Sequence, residues 1–326
     1  MAKTLRVGVA GAGVFGGYHA NKYKQALEAG IAIDFVGIYD LDRARAEALA
    51  AQHRVKAFAG DELGEFLAQL DAVTIATPAF AHAEVACKAL KAGVHVYSEK
   101  PLATRDEDGD HMVELAAEKE LVLAVGHQER AVFEAIGLYG VAERPTRLEA
   151  VRNGTASARN LDVSVVLDLM IHDLDLALTL AGGEAGGLEA TARRRTDDGY
   201  HAVGADEVSA EVMFETGMTA SFKASRMAAA RERTMRIIYP SGEVAIDFLA
   251  RTFRNTTPFA LDADFAEAAI AKDPLGTSVF RFLEAVQGRR ERKRPLCTGA
   301  EALAALGLAL AVDEAVAEAE VEAHPS

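Results

Sequence analysis

Residues 7–20, VGVAGAGVFGGYHA, set Gly11, Gly13 and Gly16 at G-x-G-x-x-G spacing between an apolar run, LRVGVA, and a helical pattern. That spacing serves a tight turn, a close backbone approach to a pyrophosphate, and close packing of helix on strand, with open N–H groups at the helix start holding the negative charge. A strand before and a helix after meet the positional conditions. Gly11, Gly13, Val14, Phe15 and Gly16 are therefore candidate cofactor-binding residues. The next strand-like run, IDFVGIYD, ends in Asp40, at the offset where a carboxylate accepts hydrogen bonds from an adenosine ribose. A carboxylate there repels the extra phosphate of NADP, so NAD is the expected cofactor and NADP the lesser one. Arg43 is a further candidate contact. With Arg45 it would offset the repulsion, although a solvated helix face is the plainer reading of both arginines.

The rest of the first 125 residues keeps that rhythm: AVTIAT, a helix through His82, VHVYS, and LVLAVGH ending at His127. Strands alternating with helices predict a parallel sheet covered on both faces. After His127 the rhythm changes. EVSAEVMF, MTASFKASR, TMRIIYP and EVAIDF follow one another with turn signals at Thr216-Gly217 and Ser241-Gly242, and no helix intervenes. The expected fold class is α/β: a doubly wound parallel sheet over residues 1–125 as the NAD-binding domain, then a domain over 126–326 with a largely antiparallel sheet and helices on one face. Two helices close the chain, one around Val279 to Gln287 and one over about Ala300 to Ala317.

With 326 residues the chain is long enough for two such domains. A net charge of −14 argues against a nucleic-acid partner, which requires a basic patch. The two cysteines, Cys87 and Cys297, form no CxxC or thiolate zinc pattern, and no apolar stretch has the length of a membrane span. A cytoplasmic protein without membrane partner is expected.

VYSEKPLATR puts Lys100 beside Pro101 directly after an apolar strand. In a doubly wound sheet that strand end opens on the cofactor crevice, and proline restricts the residue before it to extended geometry. TIATPAFAH occupies the end of an earlier strand, so Thr77, Pro78, His82, Glu99 and Lys100 are candidate cofactor contacts. In the apolar stretch SVVLDLMIHDLDLALTLAG, the residues Asp168, His172 and Asp175 stand at i, i+4 and i+7 on one helix face, with Asp173 off it as a surface or capping residue. A histidine supported by a carboxylate suits general-base work near neutral pH. Asp168 and His172 with His127 or His201 would also make a metal set. No spacing fixes a third ligand, and none is expected.

The glycine loop, ATPAFAH, SEKP and DLMIHDLD together resemble the glucose-fructose oxidoreductase, inositol dehydrogenase and rhizopine catabolism family, Gfo/Idh/MocA, over essentially the whole chain. The resemblance implies a Rossmann domain followed by an α/β domain with an open, predominantly antiparallel sheet that serves substrate binding and oligomerisation. It implies hydride transfer between nicotinamide and a sugar-like hydroxyl or carbonyl. Its EKP motif falls on Glu99, Lys100 and Pro101, and its D-x-x-x-H motif on Asp168 and His172, so Lys100, Asp168 and His172 become the implied catalytic residues. VGHQERAVFEAI is similar to the GHxERFNP of the sugar-nucleotide branch, with Ala131-Val132-Phe133 replacing Phe-Asn-Pro. That branch includes the UDP-N-acetylglucosamine 3-dehydrogenase type.

Lys100, Arg130, Asn153, Arg159, Asp168 and His172 are then the candidate substrate contacts, and Arg152 adds a donor for hydroxyls or a diphosphate. The alternatives are a dehydrogenase of a free sugar, inositol or another small carbonyl compound and, in a different class, a non-catalytic NAD-sensing regulator. An open sheet face needs a cover, which predicts a homodimer or homotetramer.

Overall fold

In the computed structural model, residues 3–155, 161–194, 202–288 and 294–323 are described. Contacts divide the chain into two units, residues 1–128 with 273–303, and 129–272 with 304–326. Both are discontinuous in sequence, so a single cut near residue 126 does not separate them.

The first unit begins with β1 (Leu5–Ala10), whose Val7, Val9 and Ala10 are fully buried, as a strand covered on both faces requires. It continues through α1 (Val14–Glu28), β2 (Ile33–Asp40), α2 (Arg43–His53), β3 (Lys56–Ala59), α3 (Leu63–Leu67), β4 (Ala72–Ile75), α4 (His82–Lys91), β5 (His95–Ser98), α5 (Asp106–Glu118) and β6 (Leu123–Val125). All neighbouring strands pair in parallel in the order β3-β2-β1-β4-β5-β6. The order reverses between β1 and β4, and ligands of such sheets bind at that switch point, beyond the carboxyl ends of the strands.

The helix Pro274–Val286 belongs to this unit for a physical reason. Its Val279, Phe282 and Leu283 recur on one face and join Val7, Tyr23 and Phe35 in the core. Ser278 Oγ accepts from the Tyr97 hydroxyl at 3.0 Å, and the Gln287 amide donates to Ala32 O at 3.0 Å. Such packing, 181 and 255 residues apart in sequence, is invisible to local pattern reading.

The second unit holds α6 (Arg130–Ile136), β7 (Arg147–Asn153), a π-helical turn (Val166–Met170) running into α7 (Ile171–Ala181), then β8 (Ala185–Arg193), β9 (Glu207–Phe214), β10 (Thr219–Ser225), β11 (Glu232–Tyr239), β12 (Gly242–Asp247), β13 (Thr252–Asn255) and α8 (Ala269–Lys272). Counting Pro274–Val286 as α9, the last helix is α10 (Gly299–Ala323), and the division between units falls within it. The seven-stranded sheet runs β13-β12-β11-β7-β10-β9-β8, antiparallel except for the central β7–β10 pair. One face is apolar and packed: Leu148 and Ala150 of β7, Ala220, Phe222 and Ala224 of β10, and Met235 and Ile237 of β11 are all buried.

Ser164 starts the π turn, its Oγ accepting from Leu167 N at 3.1 Å while donating to Asp313 Oδ2 of α10 at 2.6 Å. Among the described residues no helix is long and apolar enough to cross a membrane.

Candidate active site

The glycine loop has the stereochemistry of a phosphate cradle. Gly11 has φ of +104°, and a Cβ there would lie 2.5 Å from the Ala76 carbonyl, so side chains are excluded on two counts. At Gly16 a Cβ would stand 1.8 Å from Gly11 O, which explains the third glycine as a packing requirement. Gly13 differs: nothing lies within 4 Å of its would-be Cβ. Gly13 also occupies the N-cap of α1 without a side-chain cap, which leaves the first N–H groups of the helix open toward that space. An uncapped helix start facing an open cradle fits the pyrophosphate of NAD, and the exposed Val14 and Phe15 stand on its first turn.

Asp40 is held in place before any ligand arrives. Its Oδ2 accepts from Ala12 N at 2.7 Å and its Oδ1 from Asp42 N at 2.9 Å, which ties the end of β2 to the glycine loop. Arg43 reaches Glu62 at 3.1 Å and Arg45 reaches Asp42 at 3.5 Å. Acidic partners thus already face both arginines, which weakens any phosphate clamp, although exposed pairs of this kind contribute little. Asp40→Ser should raise the ratio of NADP to NAD affinity by about tenfold or more, since a half-buried like charge opposite the 2′-phosphate is removed. Calorimetric titration with both nucleotides reads it, and an unchanged ratio would contradict the role given to Asp40.

The loops after β4 and β5 are joined by His82. Its Nδ1 lies 2.7 Å from Pro101 O and its Nε2 3.0 Å from Thr77 O, and the residue is only 2% exposed. Burial, the larger influence, pushes its pKa below the ordinary value, while the two carbonyls favour the protonated ring. His82 therefore braces the segment holding Thr77 and Pro78 against the segment holding Lys100 and Pro101, whose peptide bond is cis.

Glu99 also points inward. It is 6% exposed and accepts from His19 Nε2 at 2.7 Å, and a Cβ on Gly126 would come within 3.0 Å of its carboxylate. Burial drives its pKa up, but the His19 bond and the positive charges of His19 and Lys100 prevail and hold it below the usual carboxylate value. His82 and Glu99, expected as candidate cofactor contacts, are both buried and support the loops that follow β4 and β5. Lys100 is half-buried at the end of β5. His19, three residues beyond Gly16 on α1, carries no sequence signal beyond its place in GGYHA.

In the second unit, the apolar segment 163–181 opens at a few positions, among them Asp168, half-buried together with Leu169, and His172, half-buried between the buried Ile171 and Asp173. Asp168 lies in the π-helical turn, a geometry that recurs at functional sites. The carboxylate on His172 comes from Glu129, whose Oε2 is 2.8 Å from His172 Nδ1. Glu129 is the acid of GHQER, and its place in that motif is its only sequence signal.

Arg152 takes the other Glu129 oxygen at 3.1 Å and forks onto Asp173 at 2.8 Å through both Nε and Nη2. Asp173, expected at the surface, is buried at 3% exposure because Arg152 requires it. Removing one partner of such a buried pair costs about 3–5 kcal/mol. Arg130 is likewise buried and bidentate on Asp175, at 2.8 and 2.6 Å. Arg130 and Arg152, expected as donors for hydroxyls or a diphosphate, are thus both buried and paired with internal carboxylates. Asn153 follows Arg152 on β7, so the period of two turns it to the opposite sheet face, where it donates to Glu232 at 3.2 Å. Arg159 and His201 lie outside the described residues.

Residues 5–127 match an oxidoreductase family with an NAD-binding Rossmann fold, and residues 144–245 match the GFO/IDH/MocA C-terminal domain. The chain is 35% identical over 321 residues to a UDP-N-acetylglucosamine 3-dehydrogenase of Acidithiobacillus ferrooxidans, covering 96% of this chain and 97% of that protein. It belongs to the Gfo/Idh/MocA oxidoreductase family. An inositol 2-dehydrogenase of Rhizobium meliloti is 30% identical over 239 residues, 69% of this chain and 70% of that one. A solved structure of the Acidithiobacillus enzyme superposes with a TM-score of 0.84 at 34% identity, covering 96% of this chain and 98% of that chain. As a Gfo/Idh/MocA member the protein is an NAD-dependent oxidoreductase with an N-terminal Rossmann sheet and a second, mostly antiparallel sheet.

Proposed function

We propose that this oxidoreductase oxidises a ring hydroxyl of a UDP-linked amino sugar, with UDP-N-acetylglucosamine as the first candidate, to a keto sugar. The observation that carries the reading is the end-to-end similarity to a protein named for that activity, which spans both units. NAD, when bound, supplies the hydride acceptor. Gly11, Gly13, Gly16 and the first turn of α1 hold its pyrophosphate, and Asp40 its ribose. In this reading His172 takes the hydroxyl proton on Nε2 as the O–H bond breaks. In the first unit Lys100 is assigned as a donor for a substrate oxygen; the electron pair freed from the O–H bond becomes the carbonyl bond and the C–H pair departs as hydride. Asp168, in the turn preceding His172, meets substrate hydroxyls.

The uncovered face of the seven-stranded sheet, where Glu149 pairs with Arg236 at 2.6 Å, is the surface assigned to self-association.

An NADH-absorbance assay across UDP-N-acetylglucosamine, N-acetylglucosamine, glucose and inositol tests the reading. Turnover is expected with the UDP-sugar and little with the free sugars. Efficient turnover of inositol or glucose, with neither binding nor turnover of UDP-N-acetylglucosamine, would move the assignment to a free-sugar dehydrogenase.

A further inference from the structure

Four side chains form one hydrogen-bonded line within the second unit: Asp173 to Arg152, Arg152 to Glu129, and Glu129 to His172 Nδ1. We infer that Glu129 is a positioning residue for His172, holding a proton on Nδ1 so that Nε2 is the basic nitrogen, while Arg152 and Asp173 lock the carboxylate in place. The inference rests on the reading of His172 as the proton acceptor.

The chemistry of the pair gives the direction. An ionised carboxylate only accepts hydrogen bonds, so at 2.8 Å the ring must present Nδ1–H to it. That fixes the tautomer and leaves the lone pair on Nε2. Once Nε2 takes a proton, the ring becomes an imidazolium beside an anion already paid for in burial, and the pair is stabilised.

Arg152 works in the opposite sense on Glu129. Burial raises the Glu129 pKa, yet the positive charges of His172 and Arg152, the His172 hydrogen bond and the charge of Arg233 outweigh it and hold the group well below the usual carboxylate range. A carboxylate so strongly ionised does not take the proton from the ring. Glu129 therefore orients and stabilises, and the proton stays on His172.

The groups facing this line come from three elements besides Glu129. These are His172 and Asp173 on α7, Arg152 on β7, and Arg233 on β11, directly opposite Arg152 in the ladder. Arg231 stands beyond Arg233 on the positive side. Arg152 occupies a slot that alternation with Leu148 and Ala150 assigns to the packed face, and only its two carboxylate partners make a charge tolerable there. So costly an arrangement, ending on the half-buried edge of one histidine, is what sets that histidine's orientation and charge.

The test reads the ring directly. Nitrogen-15 spectra of the histidine side chains in the NAD-free protein, with His172 assigned from a His172→Asn sample, should show the Nδ1–H tautomer for neutral His172. In Glu129→Gln the ring should titrate about one pH unit lower. The acid limb of kcat/KM for UDP-N-acetylglucosamine should move down with it, and kcat should fall by about tenfold or more. Glu129→Asp should restore the midpoint. An Nε2–H tautomer in the unmodified protein, or a midpoint unmoved in Glu129→Gln, overturns the inference. The first of these needs no variant to fold. If the ring midpoint moves but the rate limb does not, Glu129 governs the ring as inferred, and it is the assignment of His172 as proton acceptor that fails.

Discussion

Lys100→Met should lower kcat by about 10²- to 10⁴-fold while leaving the dissociation constant for NAD nearly unchanged. Methionine keeps the length and apolar stem of lysine and removes the ammonium, so the packing of a half-buried side chain is largely kept. The groups assigned to the pyrophosphate and ribose of the cofactor stand on other elements. Gly11, Gly13 and Gly16 lie in the β1–α1 loop, and Asp40 is fixed by Ala12 N and Asp42 N. Lys100 stands at the end of β5, on a segment braced by His82 through Pro101 O and flanked by the buried Glu99–His19 pair.

A donor placed by such supports acts where negative charge develops, on the oxygen losing its proton, and contributes little to binding dinucleotide. Single-turnover rates and NAD titration of the same variant separate the two effects. A variant with near-normal kcat and NAD binding weakened by an order of magnitude would make Lys100 a cofactor anchor instead. Lys100→Arg should recover little, because a planar fork does not reproduce a point charge.

The parallel sheet was legible because its central strands are continuous apolar runs and its glycine loop has a stereochemical reason at each position. The strands that pattern reading passed over are short or at an edge. β3 has four residues, β13 also four, and β8 begins Ala185-Gly186-Gly187 at an exposed edge where no apolar alternation is demanded.

The candidate site residues divide along a similar line. Lys100, Asp168 and His172 are visible as polar residues where the local pattern calls for apolar ones. Their supports are not, because what buries Arg152 is Asp173, 21 residues away, and what orients His172 is Glu129, 43 residues away. An arginine in RLEAVRN reads as surface, and so does an aspartate beside His172, until each is seen to be the other's counterion. Arg130 follows the same logic with Asp175. Sequence spacing finds groups sharing a helix face. It does not find pairs that meet across a sheet and a helix.

His172→Ala should lower kcat by about 10²- to 10⁴-fold, the usual loss for a positioned general base. The fold should survive, since the ring is half-buried and Glu129 keeps its bond to Arg152 at 3.1 Å when the histidine is gone. NAD affinity should hold, because no group assigned to the cofactor lies on α7. The pH profile is the sharper readout. With the base removed, the limb that reports deprotonation of His172 disappears, and the residual rate climbs with hydroxide concentration because the substrate must lose its proton to solvent. Added imidazole should recover part of the rate, as the vacated space is bounded by a carboxylate able to hold the Nδ1–H of a free ring. Asp168→Ala, by contrast, should raise the Michaelis constant while retaining the His172 limb, since the acid on the ring is Glu129. A His172→Ala protein with near-normal turnover and an unchanged limb would show the histidine to be structural and would shift the search for the base to Lys100.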